Sequence, residues 1–226
     1  MTNIGQNMLL KNQGHGQGFA ISTVEAGTGV GLTPQGLRVA WGTFFFDYDN
    51  DRDEDLYVVS GFMNAENVFN EESQPNVLLR NNGNGTFTDI SSGSGAEDPG
   101  VGRGGVFLDY DNDGCLDIFL SNLRQKARLF RNLCDSSNNW LEIKLEGTAS
   151  NRDGIGARIN VVAGNGSLMR EVAAGSSQMG QNMLAAHFGL GAAKRADSVS
   201  IHWPSGKIQV LENVAVNQMI TATEPD

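Results

Sequence analysis

A chain of 226 residues, 39% hydrophobic and 19% charged, is long enough for a buried core and too apolar for a disordered chain. Its net charge of −10 without a basic stripe excludes nucleic acid as an expected partner, and no apolar run approaches the roughly 18 residues of a membrane-spanning helix. The 29 glycines, about twice the average usage, fall in short clusters between apolar runs and predict many tight turns joining short strands.

In chain order, the first fourteen residues have no basic n-region and no long apolar segment, so they do not read as a signal peptide; a leader already removed, or a longer parent chain, is expected. Asn7-Met-Leu-Leu-Lys-Asn-Gln-Gly14 recurs 69 residues later as Asn76-Val-Leu-Leu-Arg-Asn-Asn-Gly83. Trp41–Phe46 and Leu56–Val59 read as strands on either side of Asp47–Asp55. Phe46-Asp-Tyr-Asp-Asn-Asp51 recurs at an offset of 62 as Leu108-Asp-Tyr-Asp-Asn-Asp113, and the apolar strand after each loop, Leu56–Val59 and Ile118–Ser121, keeps that offset. Ala127–Asn132 resembles Asn76–Asn81 and reads as the start of a third copy. Each unit is therefore expected to run strand, Asp loop, strand, variable connection, strand, Gly/Asn turn, strand. Asn82-Gly-Asn-Gly85 supplies the turn, because Asn and Gly tolerate the positive φ that hairpins require. About 62 residues with four short strands is the size of one propeller blade. Val68 to Leu78 is the one stretch ambiguous between helix and strand. Gly100-Val-Gly-Arg-Gly-Gly105 and Gly154-Ile-Gly156 lack the strand-to-helix setting and the Lys of phosphate loops, and read as turns.

The two loops hold ten acidic residues: Asp47, Asp49, Asp51, Asp53, Glu54, Asp55, Asp109, Asp111, Asp113 and Asp117. Taking them from the 26 leaves 16 acids against 16 Lys and Arg, so the net charge has a local origin. Carboxylates at loop positions 1, 3, 5 and 9 with a main-chain carbonyl at position 7 can wrap a hard cation in oxygen ligands, and calcium accepts such a flexible set. The expected ligands are the side chains of Asp47, Asp49, Asp51 and Asp55 with the carbonyl of Asp53, and those of Asp109, Asp111, Asp113 and Asp117 with the carbonyl of Cys115. Without a cation these carboxylates would repel one another and raise each other's pKa. Gly114 suits the bend at position 6; Arg52 stands there in the first loop, a departure expected to weaken or reshape that site. An EF-hand is excluded by context, since position 12 would be Val58 or Leu120 rather than Glu and the flanks are strands. One such loop would pass for a solvated acidic turn; two at the same place in a repeat point to a cation.

The stretches Phe46–Val58 and Leu108–Leu120 resemble FG-GAP (VCBS-type) repeats. That resemblance covers about residues 1–135 and implies propeller blades, about two of them here, with calcium bound in each Asp loop. From 136 onward the Asp loops stop. Trp140–Leu145, Ala157–Val162, Leu168–Val172, Ser198–Trp203 and Ile208–Leu211 read as strands, with hairpin turns at Asn165-Gly166 and Pro204-Ser-Gly206, which suggests a small β-sandwich or barrel. Asn139–Leu145, Gly154–Arg158, His187–Gly191, Trp203–Gly206 and Asn213–Asn217 resemble the ASPIC/UnbV domain, which follows FG-GAP repeats in the cartilage acidic protein family. The fold class expected is thus all-β.

Cys115 and Cys134 permit one disulfide, which an oxidising location favours. Asn84-Gly-Thr86 and Asn165-Gly-Ser167 have the form of glycosylation sequons but sit where hairpin turns already call for Asn-Gly. His15, His187 and His202 share no ligand spacing, and Met8, Met179 and Met183 read as core fillers. No nucleophile frame is present, so the chain is expected to be a non-enzymatic, extracellular calcium-binding or adhesion module. The alternatives are a structural subunit that self-assembles into oligomers or filaments, and an accessory domain of a secreted enzyme. Two blades cannot close a ring, so the partners expected are further chains that complete the sheets, with Gln6–Lys11 as the donor strand, or a protein or carbohydrate ligand.

Overall fold

Every regular element in the computed structural model is a strand, among the residues it describes: 7–14, 16–28, 32–33, 36–62, 74–134 and 137–226. Two small hairpins come first, β1 (Leu10–Asn12) with β2 (Phe19–Ile21) and β3 (Leu32–Thr33) with β4 (Gly36–Leu37). A four-stranded antiparallel sheet follows, β5 (Ala40–Phe46), β6 (Asp55–Ser60), β7 (Val77–Asn81) and β8 (Phe87–Asp89), paired in sequence order. This is the up-and-down meander of a propeller blade, with the first Asp loop between its first two strands. The second unit has β9 (Gly102–Leu108), β10 (Asp117–Asn122) and β11 (Arg128–Phe130), again paired in order but with no fourth strand among the described residues.

The stretch Ala127–Asn132, expected to start a third copy, instead supplies the third strand of the second. It pairs with β10 as β7 pairs with β6. By the same equivalence β1 is a third strand and β2 a fourth. A strand's place in a blade is set by its partners, and similar sequences mark the same place rather than a beginning. Residues 68–73 of the ambiguous stretch, together with Gln6 and His15, lie outside the described residues; Val77 and Leu78 belong to β7.

A second correction concerns Gly100–Gly105, which is strand from Gly102 onward rather than turn. A Cβ on Gly105 would lie 2.7 Å from Val59, 3.0 Å from Leu120 and 3.2 Å from Phe44, and one on Gly42 would lie 3.0 Å from the Gly105 amide nitrogen. Glycine here serves the close approach of β5 and β9 across the blade interface. Phe44, Phe46, Tyr57, Leu116, Ile118 and Leu120 fill the core between the two sheets, with Phe44 and Phe46 in edge contact at 5.3 Å. Met183 packs against this core, whereas Met179, expected inside, is 87% exposed.

The C-terminal part contains β12 (Asn139–Glu146), β13 (Arg158–Ala163), β14 (Gly166–Glu171), β15 (Ala186–Gly191), β16 (Arg195–His202), β17 (Ile208–Ala215) and β18 (Gln218–Thr223). They form two sheets, β15-β12-β18 and β14-β13-β16-β17, which share one core of Leu141, Ile143, Ile159, Val161, Phe188 and Val199 among others. Strand alternation sends Leu141, Ile143 and Leu145 of β12 inward to that core, so Trp140 and Glu142 face the other way. Glu224 closes the sandwich. Its carboxylate accepts the amides of Thr148, Ala149 and Ser150 and the hydroxyls of Ser150 and Ser205. Burial opposes the charged form, but the hydrogen bonds outweigh it and hold the carboxyl down at about 2. No helix among the described residues is long and apolar enough to cross a membrane.

Candidate metal centres

Each Asp loop is wound by its own carboxylates. Asp47 accepts the amides of Asp51 (3.0 Å) and Arg52 (2.9 Å), and Asp51 accepts that of Asp53 (2.9 Å). Asp55 accepts the amides of Tyr48 (3.2 Å) and Asn81 (2.8 Å), which ties the loop to the end of β7. The second loop repeats these bonds at the same positions: Asp109 to Asp113 and Gly114, Asp113 to Cys115, and Asp117 to Tyr110 and Asn132. Asn50 (φ 59°) and Asn112 (φ 58°) take the left-handed turn, followed by Arg52 (φ 90°) and Gly114 (φ 84°). Asn tolerates that region well and glycine takes it freely, whereas an arginine there is strained.

This winding gathers three carboxylates per loop. Asp47, Asp49 and Asp55 each offer an oxygen within 4.8 Å of the others, and Asp109, Asp111 and Asp117 do the same. These are positions 1, 3 and 9. The position-5 residues Asp51 and Asp113 stand outside both groups, one oxygen of each being engaged by a loop amide. The Asp53 carboxylate lies beside Gly83, and the Cys115 sulfur is bonded to Cys134 with Cα atoms 5.9 Å apart, joining the second loop to the segment after β11. Arg131 pairs with Asp111 (2.8 Å) and Asp113 (3.3 Å) at the open side of the second loop.

The first group is the more enclosed, with Asp47 and Asp55 buried. Burial, helped by the neighbouring carboxylates, lifts Asp47 to about 7 and Asp55 to about 8 against the pull of their amide donors. Burial likewise raises Asp109 and Asp117. Asp49 Oδ1 is buried with no hydrogen-bond partner. An all-oxygen donor set, an orphaned carboxylate oxygen and carboxyls held above their ordinary range fit a hard divalent cation, which would supply the missing counter-charge.

Both loops abut the C-terminal sandwich. Trp140 lies against Gly114, where any Cβ would collide with its ring, and His187 Nε2 is 3.2 Å from the Gly114 carbonyl. Burial holds His187 down at about 4. Cross-strand from it, Glu142 is fully buried with both carboxylate oxygens unpartnered. Burial first, and then the Asp109 charge, lifts it to about 8. Sequence reasoning missed Glu142, because alternation in Trp140–Leu145 places it on the outer face, which reads as solvent until the repeats cover it.

Residues 47–120 match the family described as FG-GAP-like repeat, and residues 147–226 match ASPIC and UnbV. Cartilage acidic protein 1 of Homo sapiens is 31% identical over 186 residues, 79% of this chain and 27% of that protein. The Mus musculus protein of the same name gives the same identity and coverage, and the Xenopus tropicalis one is 28% identical over 169 residues. The chain thus spans about a quarter of the length of these relatives. Repeats carrying paired Asp loops, then a two-sheet sandwich, identify the chain as FG-GAP-like repeats followed by an ASPIC/UnbV domain, similar over most of its length to cartilage acidic protein 1.

Proposed function

We propose that the chain is a calcium-stabilised, non-enzymatic binding module of an extracellular protein, with one calcium ion in each Asp loop. The observation that carries this reading is the convergence of three carboxylates in each of two equivalent loops, with Asp49 Oδ1 buried and unpartnered. Positions 1, 3 and 9 supply the side-chain ligands; Asp51 and Asp113, with the carbonyls of Asp53 and Cys115, complete the sets after small rotations within the loop. Calcium suits such an oxygen set better than magnesium, which demands a stricter octahedron. The disulfide and the names of the relatives favour an oxidising, extracellular setting. Binding stabilises the fold by mass action, by about 2.7 kcal/mol per site at a calcium concentration 100-fold above the dissociation constant. Melting in calcium and in chelator tests this: chelator lowers the wild-type melting temperature, and Asp49→Ala and Asp111→Ala each remove one share of the gap. A melting temperature indifferent to chelator rejects the reading.

A second reading, self-association through unfinished sheets, is favoured by the three-stranded second unit. Its edge strand leaves Leu129 46% and neighbouring Leu133 78% exposed, beside an apolar groove of about 660 Å³ lined by Leu78, Ile90, Ile118, Leu129 and Phe130. The β1–β2 hairpin, with Phe19 and Ile21 exposed, is the donor within the chain. Deleting residues 1–12 and measuring mass by light scattering is the test; equal monomeric masses for both forms reject it.

A further inference from the structure

The residues of the first Asp loop divide their work by position. The carboxylates of Asp47, Asp49 and Asp55 converge on one another, whereas Asn50, Arg52 and Glu54 between them contact other parts of the molecule. Asn50 accepts the amide of Gly191 through its carbonyl (2.9 Å) and donates its side-chain amide to the Gly114 carbonyl of the second loop (3.0 Å). Arg52 donates Nη1 to the Ala163 carbonyl (3.2 Å), lays its aliphatic stem 3.5 Å from where a Cβ of Gly191 would stand, and places Nη2 beside Gly166. Glu54 pairs with Arg170 at 3.5 Å, and Asn138 donates to the Asp49 carbonyl at 3.0 Å. Four segments of the C-terminal part therefore hold this one loop, two of them through its backbone carbonyls at Asp49 and Asn50 and two through the side chains of Arg52 and Glu54.

Arg52 does so at a local cost. Its φ of 90° is rarely adopted by a side-chain-bearing residue, and the second loop has Gly114 at the equivalent place with φ 84°. A glycine would satisfy the loop alone, so strain kept at this position points to a task for the side chain. That task is visible in its contacts with β13, β14 and β15.

We infer that Arg52 is a positioning residue that clamps the first Asp loop to the C-terminal sandwich, so that a cation in this loop and docking of the sandwich strengthen one another. The inference rests on the calcium reading. Its physical basis is that one short backbone serves both purposes. Whichever event orders it first removes that ordering cost from the other, and the coupling is reciprocal.

The test is hydrogen exchange of the Gly191 amide in calcium and in chelator, with calcium stoichiometry followed by calorimetry on the same samples. In wild type, calcium slows Gly191 exchange by at least about fivefold, the lower end of usual coupling. Arg52→Gly relieves the backbone strain, so the variant still binds two ions while that slowing falls toward onefold. Glu54→Gln, which lies outside the ligand set, shows the same loss in smaller measure and serves if the first variant does not fold. Two bound ions with unchanged Gly191 exchange in wild type overturn the coupling and leave the calcium reading standing. Full slowing in Arg52→Gly overturns the clamp, and no bound calcium overturns both.

Discussion

Gly189→Ala is a one-carbon probe of the joint between the first Asp loop and the sandwich. The added Cβ would overlap Asp47 Oδ2 and stand 2.7 Å from Asn50 Cα. The Asp47 carboxylate is fixed by two loop amides and Asn50 Cα is backbone, so neither gives way cheaply. Gly189 has no positive φ, which leaves the substitution a purely steric insult. Overpacking of this kind costs about 1–3 kcal/mol. Displacing Asn50 also weakens its bond to the Gly191 amide, worth roughly 1 kcal/mol, while the lower entropy of the unfolded Ala chain returns about 0.5 kcal/mol. The net loss of about 1.5–3.5 kcal/mol lowers the melting temperature by about 3–14 °C at this chain length. Calcium affinity at the first loop falls with it, because the Asp47 oxygen that meets the new methyl belongs to the converging group. Thermal denaturation followed by circular dichroism, with a calcium isotherm beside it, reads both effects. Melting within about 1 °C of wild type and an unchanged isotherm would show that the loop does not bear on β15 as described.

Replacing Cys115 and Cys134 together by Ala opens a loop of about 20 residues and costs about 3 kcal/mol in the chain-entropy account; wild type in reductant melts with the variant, and two free thiols in unreduced protein refute the bridge. Glu142→Gln tests the buried carboxyl. The folded protein holds the Glu142 proton to about 8 while the unfolded chain releases it near 4.5, so wild-type stability falls as pH rises between those values, by on the order of a few kcal/mol. In chelator the melting difference between Glu142→Gln and wild type therefore shifts in favour of the variant from pH 5 to pH 8, and a difference indifferent to pH rejects the assignment. His187, held down at about 4, acts in the opposite sense as pH falls below 6.5, which is why the comparison is made between variants rather than on wild type alone.

How far the sequence reaches depends on the range of the contacts involved. The two Asp loops, the strands β5, β6 and β10 beside them, and the Asn82–Gly85 turn are legible because amide-to-carboxylate bonds and strand alternation act over a few residues. The repeat doubles that signal. β15 was not legible: His187-Phe-Gly-Leu-Gly191 contains two glycines that weaken a strand by composition, and only packing shows that Gly189 makes room for Asp47 and Asn50. Gly102–Gly105 misled for the same reason, since glycine for close approach and glycine for a turn look alike in one dimension. Arg52 reads as a defect in a cation loop until the sandwich is in place, and Glu142 reads as solvent-facing until the repeats bury it. Loops and strands form from neighbours along the chain, but which outward faces meet is set by packing, because those contacts join distant residues: His187 and Gly114 are 73 positions apart, and Arg52 and Ala163 are 111 apart.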